Sequence, residues 1–285
     1  MNTTHENTHR RNNLFRANAK IIIIIITAFI VLFPFYWMVN TSFKRESEIF
    51  RVPPSLVPDN ITMENYEFAL TKTQIPRFFI NSVINVVGTL AVSLFFASLA
   101  AYSISRFRFR GKAAYLGIIL LTQLMPLTTL IVPLYISLGN MRLLNNRAVL
   151  IVVYSAIQIP IGTWLLMGYL NTIPREIDEA ARIDGCKNIM ILFRIILPIS
   201  KPGLMAVGLN TAIFVWQELI LAMTFNSMDA NRPLMAGVSA SIGRAGIRWG
   251  QMNATGIIAC IPIIIIFIFC QRYLVKGLTG GAVKG

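Results

Sequence analysis

Acidic side chains are scarce in this 285-residue chain: 12 Asp and Glu stand against 26 Lys and Arg, and all charged residues together make up 13%. So small a charged fraction, beside 55% hydrophobic residues, excludes an ordinary soluble domain and makes the lipid bilayer the solvent for most of the chain. Histidine is nearly missing. His5 and His9 sit in a polar amino-terminal stretch that reads as disordered, which excludes a His-dependent triad or a histidine metal site in the apolar body. The three cysteines, Cys186, Cys260 and Cys270, are too widely spaced for metal ligation and read as free thiols without redox chemistry. No phosphate-binding loop is present either: Gly111-Lys112 has Arg106 where the first glycine belongs and no Ser or Thr after the lysine, so the chain does not hold ATP in that way. Ionisable groups are missing from the apolar runs as well. Glu218 is the only charged side chain well inside one, where a proton- or sodium-driven pump needs more.

What is present is length of apolar sequence. A hydrocarbon core about 30 Å thick needs roughly 20 apolar residues of helix, and six stretches meet or approach this: 21–39, 79–104, 113–138, 148–170, 203–225 and 255–271. Backbone groups in lipid must be satisfied within the segment, so these are helices rather than strands, and the fold class is an all-α membrane protein with six transmembrane helices. The boundaries are a tail at 1–20, a membrane domain at 21–275 that includes a polar loop at 171–202, and a second tail at 276–285. Basic residues precede the first run as in a secretory signal, but about 19 apolar residues exceed a usual signal core and no small-residue cleavage site follows, so it stays as an anchor.

Lys and Arg in the flanks give the orientation. The two tails with the adjoining Arg272, the segment around Arg106 and the loop 171–202 carry 16 of the 26 basic residues, which places all four in the cytoplasm. The densest cluster, Arg106-Phe-Arg-Phe-Arg-Gly-Lys112, reads as an anchor to anionic lipid. A net charge of +14 raises nucleic acid as a partner, yet the charge is spread around membrane ends and no nucleic-acid module accompanies it.

Within the spans, Ser93, Ala97, Ala101 and Ser105 recur every fourth residue, a small-residue stripe for close helix packing. Pro34, Pro126, Pro133, Pro160 and Pro262 interrupt helices as hinges or as static kinks. Asn210, Phe214, Gln217 and Glu218 share one face of the fifth span, and Gln123 and Gln158 fall near the middle of theirs. With Tyr154, Trp164 or Trp216 beside them, these polar groups either hydrogen-bond and stack on a sugar in a translocation path or join helices to each other.

The loop 171–202 is built as a docking surface. Pro174 suits the first turn of a short helix, Glu176, Asp178 and Glu179 complement its positive amino end, and Gly185 suits the left-handed position that stops it. Ile177, Ala180 and Ala181 share a face small enough for a partner to come near. An amphipathic helix lying on lipid headgroups is basic and bulky, and this one is acidic at its start with a slight apolar face.

The stretch Glu179-Ala180-Ala181-Arg182-Ile183-Asp184-Gly185, with Phe193 and Leu197-Pro198, resembles the EAA loop of the maltose-type carbohydrate importer permeases. Further matches run in order along nearly the whole chain: Asn40-Thr-Ser-Phe-Lys44, Asn65-Tyr66, Asn81-Ser82, Ala101-Tyr102, Ser105-Arg106-Phe107, Ile173-Pro174, Trp216-Gln-Glu218 and Gln271-Arg272 through Gly285. Cys186 stands where that family has Ala, and Gln217 where it has Asn. The resemblance implies the type I fold of ABC importer permeases, with a cytoplasmic coupling helix that seats Glu179, Ala180, Ala181, Asp184 and Gly185 in a cleft of an ATPase subunit. It also implies no catalytic residues and no cofactor on this chain, ATP and Mg being held by two partner ATPase subunits. A second, non-identical permease and an extracytoplasmic sugar-binding protein complete the assembly in a bacterial or archaeal cell membrane. A secondary transporter or channel working alone is the other reading.

Overall fold

The computed structural model describes the backbone of residues 3–245 and 248–282 and the side chains of 20–240 and 248–269. The side chains of His5, His9 and Cys270, and residues 283–285 with the expected cytoplasmic end at Gly285, lie outside the described residues. All regular structure among the described residues is helical, in the order α1 (Thr3–Ser42), α2 (Glu46–Ile49), α3 (Glu64–Thr71), α4 (Ile75–Arg106), α5 (Lys112–Leu124), α6 (Leu127–Asn140), α7 (Arg147–Leu170), α8 (Glu176–Ile183), α9 (Asn188–Ile191), α10 (Leu197–Ile199), α11 (Lys201–Gln217), α12 (Ile220–Phe225), α13 (Leu234–Ala245) and α14 (Trp249–Ala282). A π-helical turn, Leu192–Ile196, joins α9 to α10. The polar amino-terminal stretch, which reads as disordered in the sequence, has helical backbone from Thr3.

Four helices are each long and apolar enough to cross a bilayer: Lys20–Ser42 within α1, α4, α7 and Trp249–Phe269 within α14. Two bent pairs raise the number to six, α5 with α6 at 92° and Asn188–Ile199 with α11 at 83°. The third expected span is therefore not continuous, and the pair that holds the fifth reaches back through Asn188–Ile199 into the loop expected at 171–202. In the third, Pro126 has no N–H to give and disfavours helical backbone at Met125, whose ψ is 124°, so the helix stops and restarts. In the fifth, α11 ends at Gln217, Glu218 takes extended ψ of 124°, and α12 begins afresh. Pro34, Pro133, Pro160 and Pro262 lie inside helices that continue through them.

The chain divides into two compact units. The smaller comprises Met1–Lys72 and Ile247–Ile258. In it the segment after α1 folds back on the helix end: Tyr36 donates to Leu56 O, the Thr62 amide donates to Phe43 O at 2.9 Å, and the buried Asn65 amide donates to Ser42 O at 3.0 Å and Lys44 O at 2.8 Å. Glu48 ties the same segment by accepting from Ser55 Oγ and the Asp59 amide, both at 2.8 Å. The Asp59 amide, ahead of the Ser55 hydroxyl and the Lys44 and Arg51 charges, holds the Glu48 carboxyl below its usual range.

The larger unit comprises Thr73–Gly246 and Ala259–Gly285. Here α4 lies along α7, and α11 packs on both. One apolar core gathers Phe78, Leu150, Trp216, Leu221, Phe225 and Leu234 near the start of α4. A second gathers Tyr102, Leu166, Leu170, Ile191, Ile196 and Val207 near its end, under α8 to α10. Ala97 and Ala101 are wholly buried, so the small-residue stripe is a packing seam.

Candidate functional site

Helix α8 starts with Glu176, Asp178 and Glu179 in its first turn and has Arg182 in its last, the charge order that its dipole favours. It stops in a Schellman turn: the Gly185 amide donates to Arg182 O and the Cys186 amide to Ala181 O, both at 3.0 Å, with Gly185 at φ +81°. A Cβ on Gly185 would meet nothing within 4 Å, so its backbone conformation alone is what calls for glycine.

The inward face of α8 is tied to the end of α4. Tyr102 Oη donates to Asp178 Oδ1 at 2.9 Å, and Arg106 Nε lies 2.9 Å from Asp178 Oδ2, with both charged side chains 3% exposed. That contact is an ion pair whose angle is not that of a hydrogen bond. Arg175 adds a bond to Ser105 O at 3.0 Å, and Ser105 Oγ donates to Asn171 Oδ1 at 2.8 Å. Arg106 is thus a buried partner of Asp178 and not the lipid anchor expected of it, whereas Arg108 and Arg110 remain exposed. The docking face also shifts. Asp178 is drawn inside, and Ala181, three residues on, goes with it, buried against the second core, with Ile177 half-buried there. The outward face is instead Glu179, Ala180 and Ile183, with Asp184 and Gly185 beyond, and Ile183 is 87% exposed.

On α11, Asn210 and Gln217 are exposed and Phe214 is half-buried. The buried Gln158 of α7 accepts from Asn210 Nδ2 at 3.2 Å and from Thr211 Oγ1 at 3.5 Å, and the Tyr154 ring meets Phe214 edge-on at 6.2 Å. Glu218 occupies the break. Its Oε1 accepts the Leu221 amide at 2.7 Å, and its Oε2 accepts the Ala222 amide at 3.0 Å and the Tyr154 hydroxyl at 2.8 Å. The carboxylate so satisfies first-turn donors of α12 that have no partner within the helix. The expected path residues therefore sort into an exposed row, Asn210, Phe214 and Gln217, and a buried layer behind it, Tyr154, Gln158 and Glu218. Gln123 is exposed near the end of α5, and its side chain donates through Nε2 to Thr122 Oγ1 at 3.5 Å. Of the aromatics expected to stack on a ligand, Trp216 and Tyr154 are core residues, Trp216 donating to Ala259 O at 3.0 Å; Trp164 is exposed.

Sequence reasoning missed Asp178, Ile183 and the length of the stripe on α4. The four-residue spacing reaches back through Asn81, Asn85 and Thr89, all buried, and Asn85, Thr89 and Ser93 have no hydrogen-bond partner for their buried side-chain atoms among the described residues. That spacing was the available signal. Among the described residues no three of His, Cys, Asp and Glu come together as a metal site.

Residues 93–280 match the family described as binding-protein-dependent transport system inner membrane component. The chain is 33% identical over 254 residues to the sulfoquinovosyl glycerol transport system permease protein of Agrobacterium fabrum, covering 89% of each. It is 33% identical over 278 residues to the trehalose/maltose transport system permease protein of Thermococcus litoralis, covering 96% of this chain and 99% of that one. Its fold matches a chain from the crystal structure of a bacterial ABC transporter involved in the import of the acidic polysaccharide alginate, with a TM-score of 0.83 over 92% of this chain and 98% of the other at 22% identity. The family match covers more than half of the residues, and the apolar helices are those of a multi-pass membrane protein: the chain belongs to the binding-protein-dependent transport system inner membrane components.

Proposed function

We propose that this chain is one of two unlike permease subunits in an ATP-driven, binding-protein-dependent sugar importer, coupled through α8 to cytoplasmic ATPase subunits that hold ATP and Mg. The observation that carries the reading is the division of α8 into an anchored inward face and a free outward face, Glu179, Ala180 and Ile183, ending at Asp184 and the left-handed Gly185. Ile183 adds apolar surface to this outward face beside the Glu179 carboxylate, and the inward ties leave that face open to a partner. Both termini and α8 then face the cytoplasm. Ala181 lets α8 lie close to its own bundle. Asn210, Phe214, Gln217 and Gln123 line the path, with Tyr154, Gln158 and Glu218 shaping it from behind. The named relatives move a sugar glycerol and trehalose or maltose, which supports a saccharide as cargo.

The test begins with mass spectrometry of the chains that copurify in mild detergent and a sugar screen on the copurified binding protein. In reconstituted vesicles, uptake of the sugar so selected should require ATP and the ATPase subunits. Uptake that survives loss of the ATPase would overturn the reading in favour of a transporter working alone. Cysteines introduced near Gly185 should resist an impermeant reagent in intact cells, and labelling there would reverse the topology.

A further inference from the structure

The smaller unit contains a cleft of about 260 Å³ lined by Trp37, Thr41 and Lys44 at the end of α1, Phe50 beyond α2, and Trp249 and Asn253 in the first turns of α14. We propose that this cleft binds a single pyranose ring, stacked on Trp249 and held through Asn253, Thr41 and the indole N–H groups. Its volume is near the lower end of small-molecule sites, about 300–1,000 Å³, so it admits one ring and not a chain of them.

The chemistry of the lining selects a neutral, hydroxylated ligand with an apolar face. Among the described residues Lys44 is the only charged group in the lining, and it is committed elsewhere: buried, it donates through Nζ to Ser55 O and lies 5.3 Å over the Trp37 ring. Among the described lining residues no free cation is left to favour an anion. Asn253 donates to Trp249 O at 2.7 Å, which fixes its amide and leaves Oδ1 to accept a hydroxyl. The Trp37 and Trp249 Nε1 groups and the Thr41 hydroxyl have no hydrogen-bond partner among the described residues. Trp249 is 40% exposed, an open indole face of the kind that packs on the C–H face of a sugar.

The cleft is also preformed. Asn65 clamps the carbonyls of Ser42 and Lys44 and so sets the end of α1. A Cβ on Gly250 would fall 2.6 Å from Asn65 Nδ2, so the turn of α14 that carries Trp249 fits this frame only with glycine at its second residue. The motif Asn40-Thr-Ser-Phe-Lys44, to which the coupling loop and the α11 face give no role, supplies Thr41 and Lys44 to this wall. That the ring is cargo rests on the sugar-import reading; that the cleft binds it does not.

The experiment uses the assembled complex in lipid nanodiscs, without binding protein and without maltoside detergent. Intrinsic fluorescence is titrated with methyl α-glucopyranoside and, as an open-chain control, sorbitol. The glycoside should give a saturable change in the millimolar range and sorbitol none. Trp249→Ala should abolish the change, Trp249→Phe retain part of it, and Asn253→Ala weaken binding about tenfold, the loss of one hydrogen bond. No saturable change, an equal change with sorbitol, or a change that persists in Trp249→Ala overturns the proposal. Glycoside binding seen only after lipid is stripped also overturns it, by making a lipid headgroup the occupant. ATP-driven uptake without the fluorescence signal sinks the cleft alone, and the signal without ATP-driven uptake sinks the import reading alone.

Discussion

The two faces of α8 are one residue apart in sequence and under opposite constraints. Asp178 lies in a buried pair with Arg106, under the Tyr102 hydroxyl, while its neighbour Glu179 faces outward free of any such tie. The same carboxylate chemistry therefore does two things. Inside, it fixes the helix to the end of α4; outside, it is exposed, where the proposed coupling would use it. The difference teaches that the inward ties hold α8 rigid toward its own bundle, which is what the proposed coupling would need in order to pass on displacement from its other side.

The comparison breaks most readily from within. Arg106→Ala would leave Asp178 charged and unpaired in a buried site, a loss of about 3–5 kcal/mol, and should remove most of the protein from membranes as judged by immunoblot and thermal melting. Restoring apolar volume on both sides, with Arg106→Met and Asp178→Leu together, should bring the protein back. Wild-type levels and melting for Arg106→Ala would show that the inward face anchors nothing.

An outward change sharpens the contrast. On the proposal that Glu179 meets a basic residue of the ATPase, Glu179→Lys puts like charge at that interface, where it should cost on the order of 2–5 kcal/mol of association while leaving protein levels unchanged. Binding-protein-stimulated ATP hydrolysis and uptake should fall together, and full stimulation would remove the outward face from the coupling account. Gly185→Asp comes next: a side chain at its positive φ adds strain of about 1–2 kcal/mol and should lower stimulated hydrolysis partially, with insertion spared. The smallest effect is expected from Tyr102→Phe, which removes one hydrogen bond to Asp178, about 1 kcal/mol, and should lower the melting temperature by a few degrees without touching ATPase association. A Tyr102→Phe loss of coupling at unchanged stability would show that the two faces are not separable.

How far these features could be read beforehand depends on the range of the interaction that makes them. Gly185 and the acidic start of α8 are local: the left-handed stop and the dipole are written within ten residues, and the structure has both. Six apolar runs were equally legible because length and polarity suffice. Asp178 was not, because the helix dipole already accounts for an acid in the first turn, and its real partner lies 72 positions away among other arginines. Glu218 was read as a lone charge in an apolar run. Its role as acceptor for α12 depends on a break that its own hydrogen bonds help to make, and nothing in the run 203–225 marks that break as Pro126 marks the other.

Helix α1 has a consequence of another kind. From Lys20 to Tyr36 every residue is exposed within this chain, including the six consecutive isoleucines Ile21 to Ile26. Where α4 must keep a particular small residue at every fourth place, this stretch answers to thickness and oiliness alone as far as its own chain is concerned. Its sequence is free to drift among Ile, Leu, Val and Phe while the seam of α4 stays fixed, so mutational tolerance along one polypeptide should change abruptly from a segment selected by its solvent to one selected by its neighbours.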